Sequence, residues 1–187
     1  QVNTQVLGSV QPRRQRLTKH AVVCIENPKI CLLGLHLLAH PDHPGRTAQR
    51  ETQARIAAHI IRTEIVAKGY KPIVLGDLND FDPDVPGTPE SGNTMRRTLG
   101  IIKEYDTARA GSGLFNAAKR VEPPEARHAS WWDKNRNGRR DSTDPLSLID
   151  HILVDRRLAE RVRSVEIRHD LHDGSVSDHW PIVMEVK

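Results

Sequence analysis

A short apolar run that leads straight into polar side chains places the tightest constraint on how this chain folds. Residues 73–75 (Ile-Val-Leu) are apolar and β-branched enough to form a strand that is covered on both faces. Gly76 lets the backbone turn without a side chain in the way. Asp77 and Asn79 follow two positions apart, which in an extended chain directs both to one face. Because open α/β sheets bind ligands at the carboxyl ends of strands, the stretch predicts a functional site; the alternative is a solvated turn.

Two strands that pair as a hairpin are predicted ahead of this stretch. They cover residues 20–26 and 30–38 and are joined by an Asn-Pro turn. Pairing about this turn would place Cys24 opposite Cys31. The pair is compatible with a disulfide and no less with two buried thiols, since free cysteine packs as a small hydrophobic residue.

A long amphipathic helix is predicted over residues 47–68, with Gly69 at its end. Its apolar positions recur at intervals of three and four, and charged residues occupy the other face. The apolar set, expected in the core, is Ala54, Ala57, Ile60, Ile61 and Ile65, and the charged set, expected in water, is Arg50, Glu51, Arg55 and Arg62. Strand, helix and strand in this order are typical of an α/β fold.

Shorter elements are predicted for the rest of the chain. Helices are expected near residues 94–99, closed by Gly100, and at 114–119 and 157–160. Strands are expected at 148–154, 163–168 and 182–186.

With 187 residues, 37% of them hydrophobic and 28% charged, the chain has the composition of one globular domain. We expect an irregular N-terminal segment over residues 1–19 and a single domain over residues 20–187.

The overall charge and hydropathy bear on partners. The formal net charge of +4 fits an anionic partner, although many proteins with this charge bind none. No apolar run is long enough to cross a bilayer, so membrane insertion is not expected.

A loop with the spacing of a calcium site lies at residues 133–144. Its oxygen-bearing residues, at relative positions 1, 3, 5, 9 and 12, are Asp133, Asn135, Asn137, Asp141 and Asp144. Two tryptophans precede the loop and a proline follows it, instead of the helices of an EF-hand, and four basic side chains lie within it. Calcium binding and a plain surface turn therefore both remain open.

Two charged or ionisable residues stand in apolar strands. His36 lies in the second predicted strand, where a histidine is either a satisfied core residue or a catalytic one. Asp150 lies within the apolar run 148–154, and burying its carboxylate is costly unless it is paired. The expected partner is an imidazole. Asp178 and His179 follow near the C-terminus and complete the set of candidates.

Four short motifs in this order resemble the endonuclease/exonuclease/phosphatase superfamily, the deoxyribonuclease I-like group. They are Gly-Leu-His-Leu at 34–37, Gly-Asp-Leu-Asn-Asp at 76–80, Ile-Asp-His-Ile-Leu-Val at 149–154 and Ser-Asp-His-Trp-Pro at 177–181. The resemblance implies an α/β fold that is the C-terminal part of a four-layer αββα sandwich, with mixed, largely antiparallel sheets flanked by helices. It also implies divalent-metal-dependent hydrolysis of phosphodiester bonds, with nucleic acid as the expected partner.

The roles implied by the resemblance fall on six residues. Asp77 resembles the aspartate that positions the attacking water or the metal, and Asn79 the amide that contacts the scissile phosphate. Asp150 resembles the carboxylate that holds the catalytic histidine. His179 resembles the general base or phosphate-contacting histidine, and His36 a second histidine of the pair. Asp178, with Asp77 and Asn79, is the implied ligand set for magnesium or manganese.

The pair formed by Asp150 and His179 gives the sharpest expectation. We expect a hydrogen bond between the carboxylate and the imidazole, with Asp77 and Asn79 on the same rim. The carboxylate should raise the pKa of the histidine more than desolvation lowers it. His36 should lie close to both.

One departure from the superfamily leaves the function open. The superfamily fold begins with strands that carry an asparagine and a metal-binding glutamate, and the sequence before His20 offers no clear match. The domain is therefore expected to be incomplete at its N-terminus, with an upstream segment or a partner completing one sheet. Two other functions remain: a phosphatase or phospholipase C-type phosphodiesterase on a small or lipid substrate, and a non-catalytic, calcium-stabilised binding module.

Overall fold

The computed structural model describes residues 2–5, 20–41, 43–85, 97–109 and 111–187. Its strands are β1 (Val2–Gln5), β2 (His20–Ile25), β3 (Ile30–His36), β4 (Lys71–Asp77), β5 (Leu114–Asn116), β6 (Ser130–Trp131), β7 (Leu146–Ser147), β8 (Asp150–Asp155), β9 (Val162–Ile167) and β10 (Ile182–Val186). Its α-helices are α1 (Pro44–Ile60) and α2 (Thr98–Lys103), and 3-10 turns cover Ala117–Arg120, Pro124–Ala126 and Arg156–Arg161. No helix in the described ranges is both long enough and apolar enough to cross a membrane.

A six-stranded sheet in the order β1-β2-β3-β4-β8-β5 forms the centre of the fold. Strands β3 and β4 run parallel, because α1 connects them across one face, and all other neighbours are antiparallel. Strands β9 and β10 form a second, antiparallel sheet, and β6 and β7 form a third. The prediction of a mixed, largely antiparallel α/β fold is confirmed.

Both faces of the central sheet are covered, as the apolar run at 73–75 predicts. Val74 packs with Leu33 and Ile61 in a core toward α1 and α2. Ile73, one residue earlier, packs with Val165 and Trp180 in a second core toward β9 and β10. Helices, central sheet and second sheet thus give three of the four expected layers within the described residues.

The hairpin β2–β3 has the predicted register. Cys24 lies directly opposite Cys31. Of the two alternatives that the sequence left open, the structure has the disulfide.

Helix α1 begins at Pro44, before the predicted start, and continues through a π-helical turn (Ile61–Ile65) and a 3-10 turn (Val66–Lys68). Gly69 ends it with a φ of 84°, a left-handed conformation that glycine adopts without strain. The expectation that Arg50 faces water is wrong. Its guanidinium is buried and donates to the carbonyl oxygens of Leu38, His40 and Pro41, so that it fixes the loop between β3 and α1.

Three other predictions need correction. The helix expected at 94–99 is found at Thr98–Lys103, so Gly100 lies inside it, and residues 94–96 fall outside the described ranges. The helix expected at 114–119 is instead strand β5 followed by a 3-10 turn, because β5 pairs with β8. Residues 2–5 of the segment expected to be irregular form β1, which pairs with β2, and residues 6–19 lie outside the described ranges.

Candidate active site

Three neighbouring strands bring candidate residues to one edge of the central sheet. His36 ends β3, Asp77 ends β4 and Asp150 begins β8. In the strand register, Asp77 pairs with His36 on one side and with Asp150 on the other. The close approach of these strands requires glycine at 76, since a Cβ there would lie 2.2 Å from the carbonyl oxygen of Leu35. Gly76 therefore permits the close strand approach that places Asp77 between His36 and Asp150.

Asp150 and His179 form the predicted pair. The Nδ1 atom of His179 lies 2.7 Å from Oδ2 of Asp150. This hydrogen bond, assisted by the negative charges of Asp150, Asp178 and Asp77, raises the pKa of His179 to about 9, although partial burial opposes the rise. Both the contact and the direction of the pKa shift confirm the expectation from the sequence. The imidazole is thus a cation at neutral pH.

Backbone contacts with β6 hold His179 in place. Ser130 and His179 form an antiparallel bridge. On either side of it, the Trp131 amide donates to the Asp178 carbonyl at 3.0 Å, and the Trp180 amide donates to the Ala129 carbonyl at 2.7 Å. The segment before β10 is therefore fixed as an added strand, which brings residues 150 and 179 together across 29 positions of sequence.

Asp77 lies between the two histidines. Its Oδ2 atom is 3.6 Å from Nε2 of His36, and its Oδ1 accepts a hydrogen bond from the Asn79 amide at 2.9 Å. Burial and the adjacent charge of Asp150 raise the pKa of the Asp77 carboxyl, and these effects outweigh the hydrogen bond and the two histidines. A carboxylate with a raised pKa is a better proton acceptor than an ordinary aspartate.

Asn79 does not share the face of Asp77 in the way that extended alternation predicts. The chain leaves β4 at Asp77, and Asn79 has a φ of 49° and is only 3% exposed. Its Nδ2 atom donates to the Leu37 carbonyl at 3.2 Å. The Asp77 carboxylate and the Asn79 amide thus form a tight turn that joins the ends of β3 and β4. Of the two alternatives posed from the sequence, the turn is present, and the functional site stays a prediction.

A buried polar network supports the loop that follows Asn79, and sequence reasoning missed it. His151 is fully buried: Nε2 faces the Asp80 carbonyl at 2.8 Å and Nδ1 faces the Asn116 amide nitrogen at 2.9 Å. Since a carbonyl only accepts and an amide nitrogen only donates, the imidazole is neutral with its proton on Nε2. Burial accordingly lowers the pKa of His151. The signal in the sequence is a histidine inside an apolar strand, directly after Asp150.

The same network continues to a lysine on α2. The Asn116 amide also donates to Asp82 at 3.0 Å, and the Lys103 ammonium contacts both Asp82 and Asp84 at 2.6 Å. Burial opposes ionisation of Asp82, but the hydrogen bond and the charge of Lys103 lower its pKa overall. The carboxylates in the Pro- and Asp-rich loop are therefore structural, and they hold the loop against α2 and β8.

The predicted metal ligands are not gathered into one cluster. Asp178 is exposed, and only its carbonyl oxygen bonds to β6. Within the described ranges, no group of three or more His, Cys, Asp or Glu side chains is placed to bind a metal ion. Metal binding by Asp77, Asn79 and Asp178 stays a prediction.

The loop at 133–144 is closed by its own hydrogen bonds. Asp133 accepts from the amides of Asn137 and Gly138, and Asp144 accepts from those of Lys134 and Asp141. The Asp141 carboxylate in turn accepts from Thr143 and from the side-chain amides of Asn135 and Asn137. The oxygens predicted to bind calcium thus already have donors, and calcium binding remains untested.

The helix-covered mixed sheet and its packing against a second sheet give this chain a deoxyribonuclease I-like fold. A 3'-5' exonuclease (NExo) from Neisseria meningitidis has a similar structure, with a TM-score of 0.68 and 20% identity over 100% of this chain and 70% of that one. An AP endonuclease from Archaeoglobus fulgidus gives a TM-score of 0.63 and 16% identity, over 97% of this chain and 70% of that one.

The endonuclease domain of TRAS1, a telomere-specific non-LTR retrotransposon, is also similar, with a TM-score of 0.59 and 15% identity over 100% of this chain and 80% of that domain. No protein-family model matches the sequence, and no curated protein matches it. At these identities the similarity establishes the fold, and the activity has to be argued from the site.

Proposed function

We propose that this protein hydrolyses phosphodiester bonds in nucleic acid with the help of a divalent metal ion. The observation that carries the proposal is the pair of Asp150 and His179 at 2.7 Å, beside the carboxylate of Asp77. Such hydrolysis needs an activated water, stabilisation of charge on the non-bridging oxygens and a proton for the leaving oxygen. The residues at this edge can meet these needs.

His179 is suited to contact the phosphate. With a pKa of about 9 it is protonated at neutral pH, and its Nε2 atom, opposite the one held by Asp150, is left to donate to a phosphate oxygen. Of the two roles that the resemblance suggests, the charged form favours the phosphate contact over the general base. Asp150 holds the ring in place and stabilises its charge.

Asp77 is the residue best suited to orient or deprotonate the attacking water. Its pKa is raised by burial and by Asp150, which makes it a stronger base than a solvated aspartate. His36, 3.6 Å away and more exposed, is the candidate for a second proton donor. Asn79 fixes the turn and with it the orientation of the Asp77 carboxylate.

The donor set is compatible with magnesium or manganese. Magnesium is commonly held by one or two carboxylates, with water and phosphate oxygens completing its shell. Asp77 and Asp150 face each other across paired strands, and the repulsion that contributes to the raised pKa of Asp77 is what a cation would relieve. Asn79 and Asp178 are the further predicted ligands. When bound, the ion would neutralise charge on the phosphate.

Nucleic acid is the preferred substrate class. The structurally similar proteins include an exonuclease and an AP endonuclease, and one structure of NExo from Neisseria was solved with a product DNA hairpin. The net charge of +4 favours a polyanion.

A nicking assay with supercoiled plasmid and magnesium tests the proposal. We expect Asp77→Ala and His179→Ala to reduce the rate by about 10²–10⁴-fold, the range for loss of a positioned acid or base. His59→Ala, in α1 and away from the site, serves as the matched histidine control, and circular dichroism checks that each variant is folded. Parallel assays with sphingomyelin and inositol phosphates compare the other substrate classes. If plasmid is still nicked after both substitutions, the proposed function is wrong. If sphingomyelin or inositol phosphates are hydrolysed faster than plasmid, nucleic acid is not the substrate class.

A further inference from the structure

An exposed tryptophan follows β6, the strand that pairs with His179. The chain has three tryptophans, and Trp132 is 66% exposed whereas Trp131 and Trp180 are 7% and 4% exposed. Two other exposed apolar side chains, Leu171 and Val176, lie on the segment that leads to His179. A large ring left in water beside a polar site is typical of a surface that a ligand covers.

The strand geometry puts Trp132 on the same face as His179. Ser130 pairs directly with His179, and directly paired residues point to the same face. The chain stays paired beyond β6, since the Trp132 amide donates to the Pro145 carbonyl at 3.0 Å. Trp132 is two residues after Ser130, so it returns to the face of His179 as a diagonal neighbour, about 7–8 Å away between backbone positions.

The burial of Trp131, which lies between Ser130 and Trp132, agrees with this alternation. Trp131 is buried, and its Nε1 atom donates to the Ser177 carbonyl at 3.4 Å. Trp131 thus anchors the segment that carries Asp178 and His179. Trp132 stays exposed.

The loop that follows Trp132 carries four cations and three carboxylates. The carboxylates accept hydrogen bonds from the loop's own donors. Its cations are all exposed, and none forms an ion pair with another described residue; they are Lys134, Arg136, Arg139 and Arg140. Arg140 also lies over the Trp180 ring at 5.2 Å, which ties the loop to the segment next to His179. An aromatic ring thus stands beside cations that are free to contact phosphates.

We propose that Trp132 and the basic residues of segment 134–140 form a subsite for a single nucleic-acid strand, in which Trp132 stacks on an unpaired base next to the phosphate held at His179. The subsite rests on the proposed function and narrows its substrate to unpaired or frayed nucleotides. Bases within a duplex are already stacked on both faces and cannot present a face to the indole. Aromatic platforms flanked by cations are the usual means of binding single strands.

Equilibrium binding in EDTA tests the subsite without catalysis. The probes are a fluorescein-labelled oligothymidylate, a backbone of the same length with abasic residues, and a blunt duplex. Since Trp132 is the exposed indole, we expect the oligothymidylate to quench tryptophan emission more than the abasic strand does. Trp132→Ala should weaken oligothymidylate binding by about 5- to 150-fold, the range for loss of one base stack, and leave binding of the abasic strand within about twofold. Trp132→Phe should retain most of the affinity.

The matched control is Val183→Ala, which shortens another exposed apolar side chain, on β10. Equal binding of oligothymidylate by wild type and Trp132→Ala would overturn the subsite, and so would an equal loss for the thymidylate and abasic strands. Tighter binding of the duplex than of the single strand would also overturn it. Plasmid nicking that persists alongside any of these results leaves the proposed function standing. Base-dependent binding in a protein that hydrolyses no phosphodiester would instead remove the function and keep the subsite.

Discussion

Replacing Asp150 by asparagine tests whether one carboxylate sets the charge of His179. Asparagine keeps the shape of the side chain but carries no negative charge. In the wild type, the hydrogen bond that His179 donates to Asp150 is the largest cause of the pKa of about 9. The charges of Asp178 and Asp77 contribute less, and burial lowers the pKa. In Asp150→Asn we therefore expect the pKa to return to about 6.5, the value of an unperturbed histidine, or below it.

The size of the effect follows from these two values. At pH 7, an imidazole with a pKa near 9 is about 99% protonated and one with a pKa near 6.5 is about a quarter protonated. The shift corresponds to about 3 kcal/mol, and because the His179 side chain is 33% exposed, solvent screening reduces its contribution to stability to about 1–2 kcal/mol. A pKa that is raised in the folded state stabilises the protein fully below about pH 6.5, and this stabilisation is lost as the pH rises through about 9.

Nuclear magnetic resonance of the ¹⁵N-labelled imidazoles measures the pKa directly, with His179→Gln used to assign the resonance. Urea unfolding at pH 6 and pH 10 measures the free energy. Asp170→Asn, which removes an exposed carboxylate paired with Arg168, is the control and should leave the pKa of His179 within about half a unit. A midpoint that stays above pH 8 in Asp150→Asn, or a destabilisation as large at pH 10 as at pH 6, would refute the reasoning.

Two further predictions concern the loops around the site. Lys103→Met removes the partner of the buried Asp82 carboxylate and should lower the free energy of unfolding by about 3–5 kcal/mol in urea, while Lys119→Met, at an exposed position, should change it by less than about 0.5 kcal/mol. A small loss in Lys103→Met would show that Asp82 finds another partner. If the loop oxygens bind calcium, millimolar calcium raises the Tm of the wild type and not that of Asp133→Ala, with Asp173→Ala as control. An unchanged wild-type Tm would leave the loop as a surface turn.

Six strands could be predicted from local pattern; they are β2, β3, β4, β8, β9 and β10. The cost of burying a charge predicted that Asp150 has an imidazole partner, and the resemblance to the deoxyribonuclease I-like group implied that this partner is His179. Arg50 could not be placed, because its position on the helix predicts water and only the folded loop supplies the carbonyl oxygens that bury it. His151 and Lys103 were missed for the same reason, since their partners come from distant segments.

The turn at Asn79 shows a second reason why the sequence alone did not place every side chain. Alternation along a strand applies only while the chain remains extended, and the left-handed residue at 79 ends it. The motif Gly-Asp-Leu-Asn predicted that both polar side chains share one face, but the position of the second one depended on one backbone angle. The 114–119 segment was similarly ambiguous, because pairing with β8 overrides its helical composition.

The contact of Lys103 with Asp82 and Asp84 bears on how this protein tolerates a longer chain. The contact holds the residues just after β4 against the last residue of α2. Lengthening a segment whose flanking residues are held in this way is inexpensive, since each doubling costs only about 0.6 kcal/mol in entropy. Insertions between positions 86 and 96 are therefore expected to leave Asp77 in place, as long as the lysine and the two aspartates are kept.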